Sequence, residues 1–416
     1  MLYALNSLLS AFCLIYMETY DVIIIGAGSI GLPTSFFLAK EKLKVLVIDE
    51  LASAGHGQNK SAIGGVRATH SDPAKIQTCQ LSLEIFSGWK EEYGDDIHFQ
   101  RGGYCFPAYT KAQEKSFKEL LVTQKRYGLN IDWLEADQIR GLLPGINPVE
   151  NPAEGGDELR GGTYSPEDGN VSPLLTAKAF YNHAKRLGVN FKFNEKVMEI
   201  ENSSGQGLAS SGVEGPRVKT TKDSYLSGVV LNAAGAEARE VGKMMGVELP
   251  IFPDSHEAGV TEPVKPFFKP LVVDTREIPG SKNIYFYQEV DGHIVFCMTP
   301  EPIIPGFSRD STSSFLPQMA KRLINLFPKL KNIKVRRVWR GLYPMTPDGV
   351  PIVDKVKEKD GFLLAVGFCG QGFMLGPGIA LNLVSLITKG KPLLPEDIFK
   401  SFSFYRDYTL TSEALK

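Results

Sequence analysis

The hydrophobic pattern near the start of the chain is that of a strand, a helix and a second strand. Tyr20–Ile25 is a continuous apolar run, and Lys44–Ile48 is another. Between them, Ser29–Lys40 has a helical composition, with Pro33 early enough for its missing N–H to be tolerated. Continuous apolar runs are typical of strands that are buried on both faces. The pattern therefore predicts a β–α–β unit of the kind found in nucleotide-binding parallel sheets.

The rest of the chain mixes helical patterns with strand-like ones. The predicted helices are Asp72–Tyr93, Lys111–Tyr127, Ser172–Leu187, Phe315–Phe327 and a last helix from about Gly378 to Thr388. The predicted strands are Phe99–Tyr109 (a strand or hairpin), Val229–Asn232, Asn283–Thr299 (antiparallel strands) and Phe362–Val366. Pro148–Gly162 and Glu201–Pro216 are interpreted as surface insertions, and the second is rich in Ser and Gly.

This order of elements predicts an α/β (α+β) protein with two domains. A discontinuous, Rossmann-like nucleotide-binding domain is assembled from residues 17–97, 163–246 and 341–402. A mainly antiparallel β substrate domain is assembled from residues 98–162 and 247–340. A chain of 416 residues is long enough for such units to bury a large core.

Residues 1–16 are apolar and differ in composition from the segment after them. They resemble the hydrophobic part of a signal peptide, but no basic segment precedes them and no small-residue cleavage site comes after them. They are also too short to span a bilayer comfortably. Met17 lies just before the first strand. We therefore expect a disordered or mis-assigned N-terminal extension rather than an anchor, and no membrane span.

The composition is that of an ordinary soluble globular protein, 43% hydrophobic and 22% charged. The net charge of −1 provides no field that favours nucleic acid or an anionic membrane, so neither is expected as a partner. The five cysteines are scattered without a C-x-x-C pair, and the histidines are equally dispersed. This predicts a reducing, cytoplasmic location and no metal site.

The turn after the first strand carries a glycine motif. It reads Gly26-Ala27-Gly28-Ser29-Ile30-Gly31, a G-x-G-x-x-G. Its glycines permit a tight turn, close approach of a pyrophosphate, and packing of the helix on the strand. Asp49 ends the next strand, where its carboxylate can accept hydrogen bonds from both ribose hydroxyls. This context predicts a dinucleotide site rather than a plain turn, without distinguishing FAD from NAD.

Later segments indicate one dinucleotide that is enclosed from several sides. Ala234 and Gly235 follow a strand as small residues, as is needed where a chain passes close to a cofactor. A second glycine-rich turn contains Gly367, Gly370, Gln371, Gly372, Phe373 and Met374. Too few residues follow it for a second nucleotide domain. We therefore expect its N–H groups to close over the same cofactor, and we also assign Val197 to this site.

Five motifs together resemble the D-amino-acid oxidase and sarcosine oxidase superfamily. In order they are DVIIIGAGSIG, the acid that closes KVLVID, LNAAGAEA, YPMTPDGVPIVD and GFCGQGFMLGPG, and the resemblance runs from about Met17 to Tyr405. The sequence looks particularly similar to the β-subunits of sarcosine oxidase and of dye-linked proline dehydrogenase. The resemblance implies FAD bound between the two domains. It also implies oxidation of a small secondary or tertiary amine or amino acid by hydride transfer from the α-carbon to flavin N5, giving an imine that hydrolyses.

The resemblance further implies where the substrate binds. Ala62–Arg67 matches a loop in which relatives place an arginine that binds the substrate carboxylate, so Arg67 is the expected clamp. Ile284–Tyr287 matches a strand that places a tyrosine over the flavin, so Tyr285 or Tyr287 is expected to bound the cavity. The alternatives are a surface or phosphate-binding arginine, and tyrosines that only pack in the sheet.

Two departures from the relatives concern the attachment of FAD. Gly341 stands where monomeric sarcosine oxidases have a cysteine that is bonded to FAD. Ser61 stands where sarcosine and dimethylglycine dehydrogenases have a flavin-linked histidine. We therefore predict non-covalent FAD beside both residues, with His56 as the histidine nearest in sequence.

Two further departures concern the substrate and the electron acceptor. Met374 replaces a lysine that helps hold the carboxylate in the monomeric oxidases, which suits a substrate with a bulkier apolar part. Those oxidases also use a lysine near flavin N5 to promote the reaction with O₂. No lysine occurs here between Lys282 and Lys321. We therefore expect a dehydrogenase that passes electrons to a partner subunit or another acceptor.

Other interpretations stay open at this stage. A reductase that uses FAD and NAD(P)H would need a second strand–G-x-G-x-x-G–helix unit and usually a C-x-x-C, and the sequence has neither. A non-catalytic or electron-transfer flavoprotein subunit of a larger complex is one alternative, and a D-amino-acid or glycine oxidase is another. The expected small-molecule partner is an amine or amino acid.

Overall fold

The computed structural model describes residues 17–149, 157–202, 215–410 and 413–414, which form two eight-stranded sheets and a two-stranded one. The strands are β1 Thr19–Ile25, β2 Val45–Ile48, β3 Gly65–Val66, β4 Tyr104–Ala108, β5 Asp132–Glu135, β6 Gly161–Ser165, β7 Gly169–Asn170, β8 Asn190–Lys192, β9 Val197–Glu201, β10 Arg217–Thr220, β11 Ser224–Asn232, β12 Phe252–Thr261, β13 Leu271–Asp274, β14 Ser281–Gln288, β15 Ile294–Pro300, β16 Val335–Met345, β17 Ile352–Lys355 and β18 Phe362–Val366. The helices are α1 Gly31–Lys40, α2 Pro73–Tyr93, α3 Lys111–Arg126, α4 Ala136–Leu142, α5 Pro173–Arg186, α6 Ala238–Met244, α7 Phe315–Leu326, α8 Gly372–Lys389 and α9 Glu396–Phe399.

The first sheet is the parallel one that the sequence predicted. Its strand order is β17-β18-β11-β1-β2-β8, and β18, β11, β1, β2 and β8 run parallel. β17 is antiparallel at one edge, and β9 and β10 continue antiparallel from β11. Val22 and Ile24 pack into the core on one face, while Ile23 and Ile25 pack into the core on the other. Burial of both faces explains why the strand is a continuous apolar run.

Helices α1, α2, α5 and α8 cover one face of this sheet. Phe36 of α1, Trp89 of α2 and Phe180 of α5 pack ring against ring, with centroids 4.4–5.9 Å apart. The Ser172 hydroxyl caps the start of α5 by accepting a hydrogen bond from the N–H of Leu175 at 3.3 Å. These contacts fix the helices relative to the strand ends.

The second sheet is mainly antiparallel, in the order β16-β12-β15-β14-β13-β4-β6-β5, with β13 and β4 parallel. Side chains of β14 alternate between its two faces. Phe286 packs with Phe315 and Met319 of α7 in the core on one side. Its neighbour Tyr285 points to the other side, towards a cavity.

Helix α8 begins earlier than predicted. The sequence predicted a start near Gly378, because glycines and Pro377 normally belong to a turn. The helix instead begins at Gly372. Gly376 packs so closely on the neighbouring loop that a methyl group there would overlap the carbonyl oxygen of Ser29. The glycines of this segment therefore serve close helix packing rather than a turn.

Two of the predicted domain boundaries fall inside strands of the second sheet. β6 continues through position 162, where Gly162 pairs with Pro107 and Leu134. β16 continues through position 341, where Gly341 pairs with His256. Residues 1–16, residues 150–156 of the first predicted insertion and residues 203–214 of the second lie outside the described residues.

Replacing Gly376 with alanine should destabilise the protein by about 1–3 kcal/mol, because the added methyl group has no room. Gly88 lies inside α2, and a methyl group there would meet no atom within 4 Å. Gly88→Ala should therefore be neutral or stabilise by up to about 1 kcal/mol. Urea denaturation of both variants measures the difference; equal stabilities would contradict the close approach of α8.

Candidate active site

A cavity of about 710 Å³ lies between the carboxyl ends of the parallel strands and one face of the second sheet. Ile25 and Ile48, the last residues of β1 and β2, line it. Ligands of open α/β sheets bind at this edge. The predicted cofactor residues that line the cavity are Gly26, Gly28, Ser29, Ile30, Asp49, Ser61, Val197, Ala234, Gly235, Gly341, Gly370, Gln371, Gly372, Phe373 and Met374. The fold thus brings together residues from the beginning, middle and end of the chain.

The glycine motif forms the turn between β1 and α1. Gly26 has a φ of +111°, a conformation that strongly favours glycine. A methyl group on Gly31 would overlap the carbonyl oxygen of Gly26. A methyl group on Gly28 would meet no protein atom within 4 Å. The space beside Gly28 is therefore open at the N-terminus of α1, as a bound phosphate requires.

Three predicted cofactor residues, Ala27, Gly31 and Gly367, do not line the cavity. Ala27 is buried, and its N–H donates to Oδ2 of Asp49 at 2.7 Å. Gly31 packs against Gly26 and Ile24, which is the helix–strand packing role that the motif predicted for it. Gly367 has a φ of +71° and packs against the side chain of Thr346. These residues shape the two turns instead of facing the cavity.

Asp49 lies on the cavity wall directly after β2. Its two carboxylate oxygens accept hydrogen bonds from the N–H groups of Ala27 at 2.7 Å and Leu51 at 2.8 Å. Burial raises the pKa of the carboxyl group, and these N–H groups oppose the rise. Each oxygen keeps a further lone pair. Asp49 can therefore still accept hydrogen bonds from ribose hydroxyls.

The glycine-rich turn before α8 closes another side of the cavity. Cys369 and Gly370 have φ values of +50° and +77°. Gly370 packs so tightly on the ring of Tyr343 that a methyl group would overlap it. Gln371 is 7% exposed, and its Oε1 has no hydrogen-bond partner among the described residues. A buried, unpaired acceptor on a cavity wall indicates a ligand that donates to it, such as a ring N–H or a hydroxyl.

One face of the second sheet forms the opposite wall. Its side chains make two rows that run across neighbouring strands. The first row contains Phe106, Val273, Tyr285, Cys297 and Ala258, and the second contains Thr275, Asn283, Thr299, His256 and Gly341. Since side chains alternate between the faces of a strand, one register places every member of both rows on the cavity side.

Neutral hydroxyl and thiol groups meet on this wall. The hydroxyl oxygens of Tyr285 and Tyr343 are 2.6 Å apart. Burial raises the pKa of both phenols well above their usual range and that of the Cys297 thiol to about 11. The His256 ring stacks on Tyr343 with centroids 3.7 Å apart, and its Nε2 lies 3.4 Å from Oδ2 of Asp254. Burial lowers the pKa of His256, so it is mainly neutral as well.

The sequence prediction missed Tyr343, Cys297 and His256. Tyr343 is two residues after Gly341 in the same strand, so a period of two could have placed both on one face. Cys297 and His256 carry no local signal, because pairing between distant strands decides which face they occupy.

The structure separates the two tyrosines that the sequence proposed. Tyr285 lines the cavity, whereas Tyr287 does not. The Tyr287 hydroxyl donates to the carbonyl oxygen of Ile63, and Oε1 of Glu289 lies 3.1 Å from the same hydroxyl. Of the two tyrosines, Tyr285 is therefore the one that bounds the cavity. Both side chains share one face of β14, but the loop at Ile63 covers Tyr287.

Arg67 lies on the cavity wall directly after β3. It is 7% exposed, its guanidinium carbon is 5.6 Å from the centre of the Phe106 ring, and its Nη1 donates to the carbonyl oxygen of Thr69. The other cations that line the cavity, in the part of the chain that the structure describes, are Lys196, Lys282 and Arg309, all of them exposed. A buried cation interacts with an anionic ligand far more strongly than an exposed one. Arg67 is thus well suited to hold an anionic group.

Ser61 and Gly341 are neighbours on the cavity wall. A methyl group on Gly341 would lie 2.9 Å from Cβ of Ser61. The two positions that were singled out for their missing flavin-bonding side chains therefore meet at one place. His56 is exposed and does not line the cavity.

The cavity fits a dinucleotide such as FAD. It offers open space at Gly28, acceptor capacity on Asp49 and an unpaired acceptor on Gln371. Among the described residues, no group of three or more His, Cys, Asp or Glu could hold a metal ion. The sequence matches the DAO family, described as FAD dependent oxidoreductase, over residues 21–386. The chain belongs to this family.

Known relatives support the same assignment. The chain is 24% identical over 395 residues to the sarcosine oxidase subunit beta of Rhizobium meliloti, covering 94% of this chain and 90% of the relative. It is 25% identical over 402 residues to mitochondrial dimethylglycine dehydrogenase of Rattus norvegicus, covering 91% of this chain but 44% of that longer protein. The L-proline dehydrogenase structure from P. horikoshii has a TM-score of 0.82 and 27% identity, covering 93% of this chain and 98% of the other.

Among the described residues, one helix is long and apolar enough to cross a membrane, judged by length and composition alone. It is α8, and 67% of that stretch is buried inside the protein. Its first turn also lines the cavity, since Gly372, Phe373 and Met374 lie there. The apolar character of α8 is thus accounted for by its place in the core.

Gly28→Ala should weaken FAD binding at least about tenfold, or about 1.4 kcal/mol, because the methyl group fills the space for the pyrophosphate. The urea midpoint of the apoprotein should not fall, because no protein atom lies within 4 Å. Fluorescence titration of the apoprotein with FAD measures the first effect. Unchanged FAD affinity would contradict the proposed position of the pyrophosphate.

Proposed function

We propose that this protein oxidises a small secondary or tertiary amine, or an amino acid, of the sarcosine, dimethylglycine or proline type. The observation that carries the proposal is Arg67, a buried arginine on the wall of the FAD cavity. An amino-acid substrate brings a carboxylate, which the planar guanidinium can bind with two parallel hydrogen bonds. The names of the relatives, which include sarcosine oxidase, dimethylglycine dehydrogenase and L-proline dehydrogenase, support the same substrate class.

The spacing of the strands limits where the substrate can lie. Arg67 packs on Phe106 of β4, and Tyr285 is two strands away, or about 10 Å. That distance accommodates a small amino acid with its carboxylate at Arg67. His256 is four strands from Phe106, or about 19 Å, which is too far to contact the same small substrate. We therefore assign the substrate to the part of the wall between Arg67 and Tyr285.

FAD supplies the acceptor for the hydride that leaves the substrate α-carbon. Arg67 would hold the carboxylate and so fix the α-carbon. Phe106, Val273 and Met374 offer apolar surface to the rest of the substrate and limit the access of water. The proton of the substrate ammonium group would go to water before the hydride leaves. The iminium ion that results would react with water after release, giving an amine and a carbonyl group.

We further infer a dehydrogenase with non-covalent FAD. The thiol of Cys297 faces the cavity in neutral form, and the cavity-lining lysines Lys196 and Lys282 are exposed. Arg67, the buried cation of the described wall, is assigned to the substrate carboxylate. Without a buried lysine near the flavin to stabilise superoxide, the reaction with O₂ should be slow. A partner subunit or another acceptor would then take the electrons. Flavin that stays with the polypeptide after acid precipitation would contradict the non-covalent assignment.

Arg67→Ala should raise KM for the best amino-acid substrate at least about tenfold, because a charge-assisted hydrogen bond contributes about 1.5–3 kcal/mol. FAD affinity should change little. Arg67→Lys should recover only part of the loss, since lysine lacks the planar fork. Arg309→Ala is the matched control, because Arg309 is an exposed cation on the same cavity. Steady-state kinetics and FAD titration check both expectations, and an unchanged KM in Arg67→Ala would refute the clamp.

The reaction itself is tested by mixing the purified protein anaerobically with sarcosine, dimethylglycine, L-proline, D-proline, glycine and D-alanine. We expect the flavin absorbance to bleach with a secondary or tertiary amine. Turnover with a dye should then exceed O₂-dependent release of H₂O₂ at least about tenfold, because the described wall lacks a buried lysine. Bleaching by D-alanine or glycine alone would favour the glycine or D-amino-acid oxidase alternative. Bleaching by none would favour a non-catalytic subunit.

A further inference from the structure

Three chain segments meet at Asp168, which is buried at 1% exposure. The first is the loop after β3, which carries Arg67. The second is the segment before β4, where the N–H of Gly103 donates to the Asp168 carbonyl oxygen at 2.8 Å. The third is β7, which pairs with β3 through Gly65–Asn170 and Val66–Gly169. Asp168 does not line the cavity, so it acts on the site only through its neighbours.

The carboxylate of Asp168 binds the two residues that follow Arg67. Its Oδ1 accepts a hydrogen bond from the N–H of Ala68 at 2.9 Å, and its Oδ2 accepts one from the Thr69 hydroxyl at 3.2 Å. Thr69 is in turn the residue whose carbonyl oxygen accepts a hydrogen bond from Arg67 Nη1. A continuous chain of bonds therefore runs from Asp168 through Thr69 to the guanidinium.

The charges of Asp168 and Arg67 also act on one another. Burial raises the pKa of Asp168 to about 6, and the nearby positive charge of Arg67 opposes the rise. A buried carboxylate is costly unless it is hydrogen-bonded and near a cation. Asp168 has both: Ala68 and Thr69 bond it from the loop that presents Arg67 to the cavity, and Ser165 bonds it from β6.

We propose that Asp168 is the positioning residue for the carboxylate clamp: it fixes residues 68–69 so that the Arg67 guanidinium faces the substrate. This inference rests on the proposed function, because it presupposes that Arg67 binds the substrate carboxylate. It predicts an effect that is confined to substrates with a carboxylate. A residue that served only stability would affect all substrates alike.

The test compares an amino-acid substrate with the same amine lacking the carboxylate, such as L-proline with pyrrolidine, sarcosine with dimethylamine or dimethylglycine with trimethylamine. Asp168→Ala should raise KM for the amino acid at least about tenfold and leave kcat/KM for the plain amine within about twofold. Asp168→Asn keeps one carbonyl acceptor and should restore most of the affinity. Glu167→Gln is the matched control, since Glu167 is the exposed acid next in sequence, and it should behave like the wild type.

A readout that does not need turnover is the binding of acetate, followed by the change that it causes in the absorbance of bound flavin. Asp168→Ala should raise the dissociation constant of acetate by the same factor as KM. If Asp168→Ala does not fold, Thr69→Val decides the question, because it removes the hydroxyl that bonds Asp168 and keeps the shape. We expect Thr69→Val to weaken acetate several-fold.

The outcomes separate this inference from the proposed function. If Arg67→Ala leaves the preference for the amino acid over the plain amine unchanged, the clamp itself is wrong. If Arg67→Ala removes that preference while Asp168→Ala and Thr69→Val retain it, the role of Asp168 is wrong and the clamp stands. Equal losses for the amino acid and the plain amine in Asp168→Ala would also overturn the positioning role.

Discussion

The close approach of three backbone segments at residues 26–31 is the constraint on which the site depends. Gly26 lies against the carbonyl of Ala233, Gly31 lies against Gly26, and Gly376 lies against Ser29. Side chains at these positions would push β11, α1 and α8 apart. Because these three positions carry no side chain, the starts of two helices and the ends of the parallel strands reach one cavity. The positive ends of both helix dipoles then face the same ligand.

The second sheet supplies the substrate side by a different principle. No loop of unusual conformation is needed there, because the alternation of side chains along six strands aligns two rows of groups on one face. Buried hydroxyl and thiol groups on this face stay neutral, and the one buried cation on the described wall comes from the loop at Arg67. Arg67 therefore recognises the charge of the ligand, whereas the second sheet determines the shape of the pocket.

The sequence predicted those parts of the site whose signal is local. The G-x-G-x-x-G turn, Asp49 and the parallel sheet depend on neighbouring residues and on short apolar runs, and the structure has them where they were predicted. The start of α8 was wrong because glycines that serve packing look like glycines that serve a turn. Tyr287 was not separated from Tyr285 because both face the same way in β14, and only the Ile63 loop distinguishes them. Long-range contacts of this kind have no signature in one sequence.

The parallel sheet also has a consequence for how the chain folds. β1 lies between β2, which follows it closely, and β11, whose first paired residue is Leu226 opposite Thr19. During synthesis, about 200 residues must emerge before β11 can cover that side of β1, which takes about 10–40 s at usual rates of translation. For that time one edge of an apolar strand has no partner within the sheet. The nascent chain should therefore depend on chaperones more than the stability of the folded protein alone would suggest. The yield of folded protein should also change with the speed of translation.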